Sequence, residues 1–350
     1  MPTLKLSSIL FNFTHLHINN MINIKCIGFS VTAYMDDSYP IYLQKKLDLV
    51  GNNEFLVSYV SLGGLSIDSM PYLMNKMVNN NREQIIVLEL ATSWYSLFRS
   101  DFNNALESIK EIVNFVEMAG SKIIFLNLYR KDIDDDDIVV RVIEQVAAGK
   151  HLIIDLKKHF RNLLKDTGND LTIDGVHPTK DAIDFISDQL FKEIIGIQAD
   201  IFVNHSAIAG QSHISYKSWL PEGHGFEEVV FDNRKGFKSR TLKLKGGECV
   251  EFDLPAGSIV SGIFFVMGPD TGIAEYFLDY EKIVVQMQDE MSFYRRLGYK
   301  EIEPRIVKKI KIYQPDVPSQ IKLSRDPWEV VDGVNCYLVG IATRQELSEC

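Results

Sequence analysis

A serine stands just past a run of strand-forming residues in "IKCIGFSVTAY", residues 24–34. Ile24, Cys26 and Ile27 read as a buried strand, Gly28 ends it, and Ser30 follows between Phe29 and Thr32. A hydroxyl presented where a strand stops is one way to build a nucleophile; it is also how many ordinary strands end. The second informative stretch is "LTIDGVHPTKDAIDFISDQLFKEI", residues 171–194. Here Asp174 and His177 share a turn ahead of Pro178 and an amphipathic helix with Ala182, Ile183, Phe185, Ile186 and Leu190 on one side. The three-residue step lets the carboxylate hold the imidazole by its far nitrogen, fixing tautomer and orientation as the acid of a hydrolytic triad does. His177 would then face a nucleophile from elsewhere in the chain. The plainer reading makes Asp174 a helix cap and His177 a helix-start side chain.

These groups can meet only if the fold carries them to one place. From residue 22 to about 195 the short apolar runs "INIKCIGF", "EFLVSYV", "QIIVLEL", "KIIFLNL" and "HLIIDL" read as buried parallel strands. Between them lie the helical patterns "PIYLQKKLDLV", "SIDSMPYLMNKMV", "NNALESIKEIVNFVEMAG" and "DDIVVRVIEQVAAG". In the third, Leu106, Ile109, Ile112, Val113 and Val116 fall on one helix face and Gly120 closes it. The alternation predicts an α/β domain with a right-handed doubly wound sheet. Such sheets hold ligands at the carboxyl ends of their strands, where Ser30 and the Asp174/His177 loop both fall. The acidic run Asp134 to Asp137 reads as a solvated helix start favoured by the macrodipole.

The expected organisation is an N-terminal arm or extra strand at 1–21, the α/β domain at 22–196, a linker at 197–224 and an antiparallel β-sandwich or jelly roll at 225–350. The last segment shows short β runs such as "RTLKLK", "CVEFDL", "SIVSGIFFVM", "RIVKKIKIY" and "CYLVGIAT", broken by turn signals. Of the aromatics in the second half of the chain, Trp219, Trp328, Tyr276 and Tyr280 are candidates for a sugar-stacking face, with core packing the commoner fate of such residues.

Composition narrows the field. At 350 residues the chain exceeds the usual single domain. A formal net charge of -10 argues against a phosphate backbone as the main partner, so no nucleic acid is expected. No run approaches a membrane span, and the first twenty residues make a poor secretory signal. The scattered Cys26, Cys249, Cys336 and Cys350 fit reduced thiols in a cytoplasmic protein, with Cys26 as plain core. His15 and His17 lack a third ligand nearby, and neither metal nor cofactor is expected. "LGGLS" lacks the lysine of a phosphate loop.

Taken together, the blocks resemble the SGNH (or GDSL) hydrolases over residues 22–196. "IGFSVTA" is similar to that family's first block, with Ser30 in the nucleophile place; "SLGGLSID" is similar to the second, whose glycine would be Gly64. "VLELATSW" falls where the third block is expected, and "DGVHPTKDA" is similar to the last. The order Ser, Asp, His is that of other α/β hydrolases, although G-x-S-x-T lacks the second glycine of the sharp nucleophile elbow. The resemblance implies a three-layer α/β/α, flavodoxin-like esterase fold. It implies Ser30 as nucleophile, His177 as general base and then acid, and Asp174 as orienting acid. It also implies an oxyanion hole from the N–H groups of Ser30 and Gly64 and a third donor.

Two departures stand out. Ser93 takes the place of the family's block-three Asn, with Ala91 for its glycine and Trp94 for its Asp, so the third donor falls to Ser93, Thr92, a strand-end Asn such as Asn127, or nothing. Phe29 replaces the usual Asp and would wall the pocket. The expected activity is removal of a small acyl group, acetyl foremost, from a carbohydrate or similar ester through an acyl-enzyme. Its rivals are an O-acyltransferase with the same triad and a weakened hydrolase-like module that binds a glycan or a protein. A further rival makes the β domain an oligomerisation element and the chain a homo-oligomer.

Overall fold

The computed structural model describes residues 21–33, 37–50, 54–78, 84–93, 101–132, 137–201, 214–222, 227–329 and 333–346. The N-terminal arm with His15 and His17, Trp94 and Cys350 lie outside the described residues.

Five parallel strands form the first sheet: β1 (Ile22–Gly28), β2 (Phe55–Ser61), β3 (Ile85–Glu89), β4 (Lys122–Asn127) and β5 (Leu152–Asp155), in the order β2-β1-β3-β4-β5. This is the doubly wound arrangement, and the order reverses between β1 and β3, which opens a crevice at their carboxyl ends. The strands are apolar on both faces because both faces are covered. Ile24, Cys26, Ile85 and Val87 point into one cluster with Leu43 of α1 (Tyr39–Asp48). Ile27, Ile86 and Leu88 point into another with Ile109 and Val113. A slip of one residue would exchange these sets.

Of the expected helices, "SIDSMPYLMNKMV" is the one the chain breaks. Ile67–Leu73 is a 3₁₀ segment with Pro71 inside it, followed by a single α turn, α2 (Met74–Met77). Proline has no N–H for an α-helical bond, which favours the tighter, shorter form. The others stand as α3 (Phe102–Met118) and α4 (Ile138–Ala147), the latter capped by Asp137, whose carboxylate accepts from Val139 N at 3.0 Å. A further helix, α5 (Lys157–Thr167), was not among those expected, although Leu156, Phe160, Leu163 and Leu164 are spaced for one helix face; only Lys157 and Phe160 on it are buried. The last helix, α6 (Lys180–Ile201), packs Ile183, Ile186 and Leu190 beneath the sheet.

The second half is an antiparallel pair of sheets. Six strands, β6 (Ile214–Trp219), β7 (Glu227–Asp232), β8 (Lys238–Lys245), β10 (Ile259–Met267), β13 (Arg296–Ile306) and β15 (Asn335–Glu346), make the larger; β9 (Cys249–Asp253), β11 (Ile273–Leu278), β12 (Glu281–Gln286) and β14 (Lys309–Tyr313) make the smaller. Strand β6 lies inside the segment expected to be a linker and pairs with β15. "RIVKKIKIY" divides into the end of β13 and all of β14, the turn held by Asp279, which accepts from Lys309 N at 2.9 Å.

The larger sheet is buried on both sides. Ile263, Phe265 and Leu338 face the smaller sheet, joining Tyr276, Ile310 and Ile312. Phe264, Val266, Leu297, Tyr337 and Val339 face the α/β half and share one cluster with Ile27, Phe29, Leu62 and Met70. That is why "SIVSGIFFVM" is apolar without alternation. The edge strand β2 is closed off by the β7–β8 turn: Ser61 N donates to Lys235 O at 2.9 Å, and Asn233 Nδ2 donates to Ser61 O at 2.8 Å. The two halves therefore meet through a continuous apolar core and a capped sheet edge.

Candidate active site

At the end of β1 the chain turns sharply, with Thr32 N donating to Phe29 O at 3.1 Å. Gly28 has no room for a side chain: a Cβ there would stand 2.3 Å from Thr32 Oγ1 and 2.8 Å from both Cβ and O of Glu89. The turn is tied on two further sides. Ser61 Oγ donates to Phe29 O at 2.7 Å, and Leu62 N donates to Gly28 O at 2.8 Å. Ser30 is left half-buried at the switch point between β1 and β3.

Residues 171–179 form a small hairpin that delivers the acid and the imidazole. Ile173 N donates to His177 O at 2.7 Å, Thr179 N to Leu171 O at 2.9 Å, and Gly175 O accepts from Lys131 N at 2.7 Å. Gly175 has φ +85°, a conformation that favours glycine. The carboxylate of Asp174 accepts from Val176 N at 3.1 Å and His177 N at 2.9 Å on one oxygen, and meets His177 Nδ1 at 2.7 Å on the other. Burial pushes the Asp174 carboxyl up, but the backbone and ring N–H groups of His177 and the N–H of Val176 outweigh it and hold the group below the usual carboxylate range. His177 Nε2 lies 3.0 Å from Ser30 Oγ. The structure thus brings together Ser30, His177 and Asp174 in the order of a proton relay.

The glycine loop follows β2. Leu65 N donates to Leu62 O at 3.0 Å, which makes a turn with Gly64 at its third position and φ +86°. A Cβ on Gly63 would stand 3.5 Å from Ser30 Cβ, so the loop lies directly against the serine.

Beneath both turns sits a residue that sequence reasoning missed. Glu89, the last residue of β3, is fully buried. One of its oxygens accepts from Phe29 N at 3.4 Å and Thr32 Oγ1 at 3.5 Å; the other accepts from Thr92 N at 3.1 Å and Thr92 Oγ1 at 2.7 Å. Burial raises its pKa, opposed by these four donors. A glutamate closing an otherwise apolar buried strand, "IIVLE", was the available signal.

This clamp removes one candidate. Both donors of Thr92 are spent on Glu89, so Thr92 is not the third oxyanion donor. Ser93 is fully buried, and its carbonyl accepts from Arg130 Nη1 at 3.0 Å. Asn127 is buried at the end of β4, with neither atom of its amide hydrogen-bonded within the described residues. Phe29, expected to wall the pocket, lies instead in the apolar core that joins the two halves, 2 % exposed. The aromatic candidates divide: Tyr276 is core, Trp219 packs against Phe252, and Tyr280 and Trp328 are exposed, Trp328 stacked on Tyr294 with ring centroids 5.1 Å apart. Cys26 is buried core, and among the described residues no group of three or more His, Cys, Asp or Glu side chains is placed to hold a metal ion.

The chain shares its fold with solved structures of other proteins. Its overall shape matches a two-domain esterase active on acetylated mannans, with TM-score 0.63 at 12 % identity over 94 % of this chain and 92 % of that one. The fold is shared. A second crystal structure under the same description, with mannopentaose, gives TM-score 0.61 at 11 % identity over 94 % of this chain and 91 % of the other. An acetyl xylan esterase, AlAXEase, matches at 18 % identity over 49 % of this chain and 100 % of that one, TM-score 0.43. No family model and no curated protein sequence matches the chain. Both structures that match along nearly the whole chain are described as a two-domain esterase active on acetylated mannans.

Proposed function

We propose that the protein is a serine-dependent ester hydrolase that removes acetyl groups from a carbohydrate. The observation that carries this is the contiguous relay Ser30 Oγ to His177 Nε2 at 3.0 Å and His177 Nδ1 to Asp174 Oδ2 at 2.7 Å, set at the carboxyl edge of a doubly wound sheet. Ser30 Oγ bonds to the acyl carbon as its proton passes to His177 Nε2. The tetrahedral species collapses, the bond to the sugar oxygen breaks, and the proton moves from Nε2 to that leaving oxygen. Water then repeats the sequence: it gives its proton to His177, attacks the acyl carbon, and releases acetate and Ser30. Asp174 stays ionised and holds the ring so that Nε2 faces the serine.

Support for an acetylated glycan comes from the likeness in fold, along nearly the whole chain, to an esterase acting on acetylated mannans. The deciding experiment pairs acetate release from an aryl acetate and from acetylated mannan or xylan oligosaccharides with fluorophosphonate labelling. Wild type should release acetate and label at Ser30; Ser30→Ala should lose activity by at least about a hundredfold. A folded wild-type protein that neither labels nor releases acetate overturns the reading in favour of a binding module.

A further inference from the structure

The third oxyanion donor is the open question of the site, and the β half offers one. Arg296 is the first residue of β13, opposite Met267 of β10 in the larger sheet. Its neighbour Leu297 is 2 % exposed in the core shared by both halves, which fixes the strand against the α/β domain. From there the side chain reaches the glycine loop: Nη1 lies 3.7 Å from where a Cβ on Gly64 would stand. Because a Cβ sits about 2.5 Å from its own nitrogen, Nη1 is within roughly 6 Å of Gly64 N, and one further hydrogen-bonded oxygen spans that interval.

The guanidinium is held for this position. Nη2 is paired with Asp289, whose other oxygen accepts from Met291 N at 2.9 Å and Ser292 Oγ at 3.0 Å. Nη1 donates to Met267 Sδ at 2.9 Å. A thioether is a weak acceptor, so a developing oxyanion competes for that donor with advantage. The side chain is 14 % exposed, which keeps water from screening the interaction.

We propose that Arg296 is a catalytic donor to the acyl oxygen, completing from the second domain an oxyanion hole begun by the N–H groups of Ser30 and Gly64. This rests on the esterase reading above. As Ser30 Oγ bonds to the acyl carbon, the carbonyl electron pair moves onto oxygen and Nη1–H donates to it. The guanidinium keeps its proton throughout, and the pair returns to the carbonyl when the sugar oxygen departs. The assignment accounts for a serine at the block-three position: the missing amide is replaced by a cation from the other half of the chain.

The test uses the full chain and four proteins: wild type, Arg296→Gln, Arg296→Lys and Asp289→Asn. Aryl acetate, which has no sugar, is assayed beside an acetylated oligosaccharide, with melting temperatures as the folding control. A trifluoromethyl ketone that adds to Ser30 serves as a tetrahedral mimic. Arg296→Gln should lower kcat on both substrates by about a hundredfold, the size of one oxyanion donor, with KM little changed. Inhibition by the ketone should weaken by a similar factor. Arg296→Lys should recover only part of the loss, since it lacks the fork pinned by Asp289, and Asp289→Asn should fall between wild type and Arg296→Gln. Loss on the oligosaccharide alone overturns the proposal and makes Arg296 a sugar contact. Unchanged kcat and inhibition in a folded Arg296→Gln also overturn it. An inactive, unlabelled wild type instead removes the esterase reading itself.

Discussion

Glu89 and Thr92 share two hydrogen bonds on one carboxylate oxygen, at 3.1 Å from the backbone N–H and 2.7 Å from the hydroxyl. The other oxygen takes Phe29 N and Thr32 Oγ1, so one side chain joins the nucleophile turn to the loop after β3. Replacing it with glutamine sets an amide donor against groups that are all donors. Each buried group left unsatisfied costs about 1–3 kcal/mol, and Glu89→Gln should destabilise the fold by that order while lowering kcat more than KM. The sign with pH follows from burial. Because the folded pKa is raised, the stability Glu89 contributes is complete below the unfolded value of about 4.3 and is lost as pH rises through the folded pKa. The deficit of Glu89→Gln relative to wild type should therefore shrink in denaturant titrations as pH rises above the unfolded value; a constant gap would contradict it.

Asp174 makes a different prediction. Its carboxylate can only accept, which forces the proton onto His177 Nδ1 and leaves Nε2 basic toward Ser30. Asp174→Asn can donate to Nδ1 and favour the opposite tautomer. Activity should fall by roughly 10³–10⁴ in kcat, as for the equivalent change in a hydrolytic triad, with the melting temperature little altered. A loss below about tenfold on aryl acetate would argue that the carboxylate merely caps the hairpin.

Lys76 is a half-buried charged group at the seam between the halves. Its ammonium donates to Ser239 Oγ at 2.9 Å, Ser218 Oγ at 3.3 Å and Val339 O at 3.3 Å, and burial lowers its pKa to about 8. The unfolded chain holds that proton to about pH 10.4, so between the two values it binds more protons than the native state, and stability rises with pH. Wild type should gain up to about 3 kcal/mol relative to Lys76→Met from pH 7.5 to pH 10, read as the difference in unfolding free energy.

Gly236 tests the joint far from the chemistry. A Cβ there would stand 1.8 Å from Tyr59 O, and its φ is +86°. Gly236→Ala must push the β7–β8 turn off the edge of β2 or strain the backbone, at a cost of about 2–4 kcal/mol. Thermal unfolding should begin earlier, with loss of the Ser61–Lys235 hydrogen bond seen as faster amide exchange at Ser61.

Much of the α/β half was legible in the chain because its signals are local. Five apolar runs separated by helical periods admit few topologies, and Asp-x-x-His-Pro before a helix marks its own turn. Other features were hidden for physical reasons. Strand β6 sits among Gly, Ser and Pro and is a strand only because β15 lies beside it. Pro71 shortens a helix that its apolar spacing announced. Glu89 reads as an oddity in a strand until four donors from two segments surround it.

The amino-acid order alone determined the doubly wound sheet, the β character of the second half, and Ser30, Asp174 and His177 as residues able to work together. Those are consequences of period, turn chemistry and short-range geometry. Only the tertiary structure decided that His177 Nε2 reaches Ser30 Oγ across 147 positions, that Phe29 joins the halves rather than walling the pocket, and that Arg296 arrives beside Gly64. Contacts between distant segments depend on how whole layers pack, and no local pattern in the chain encodes that.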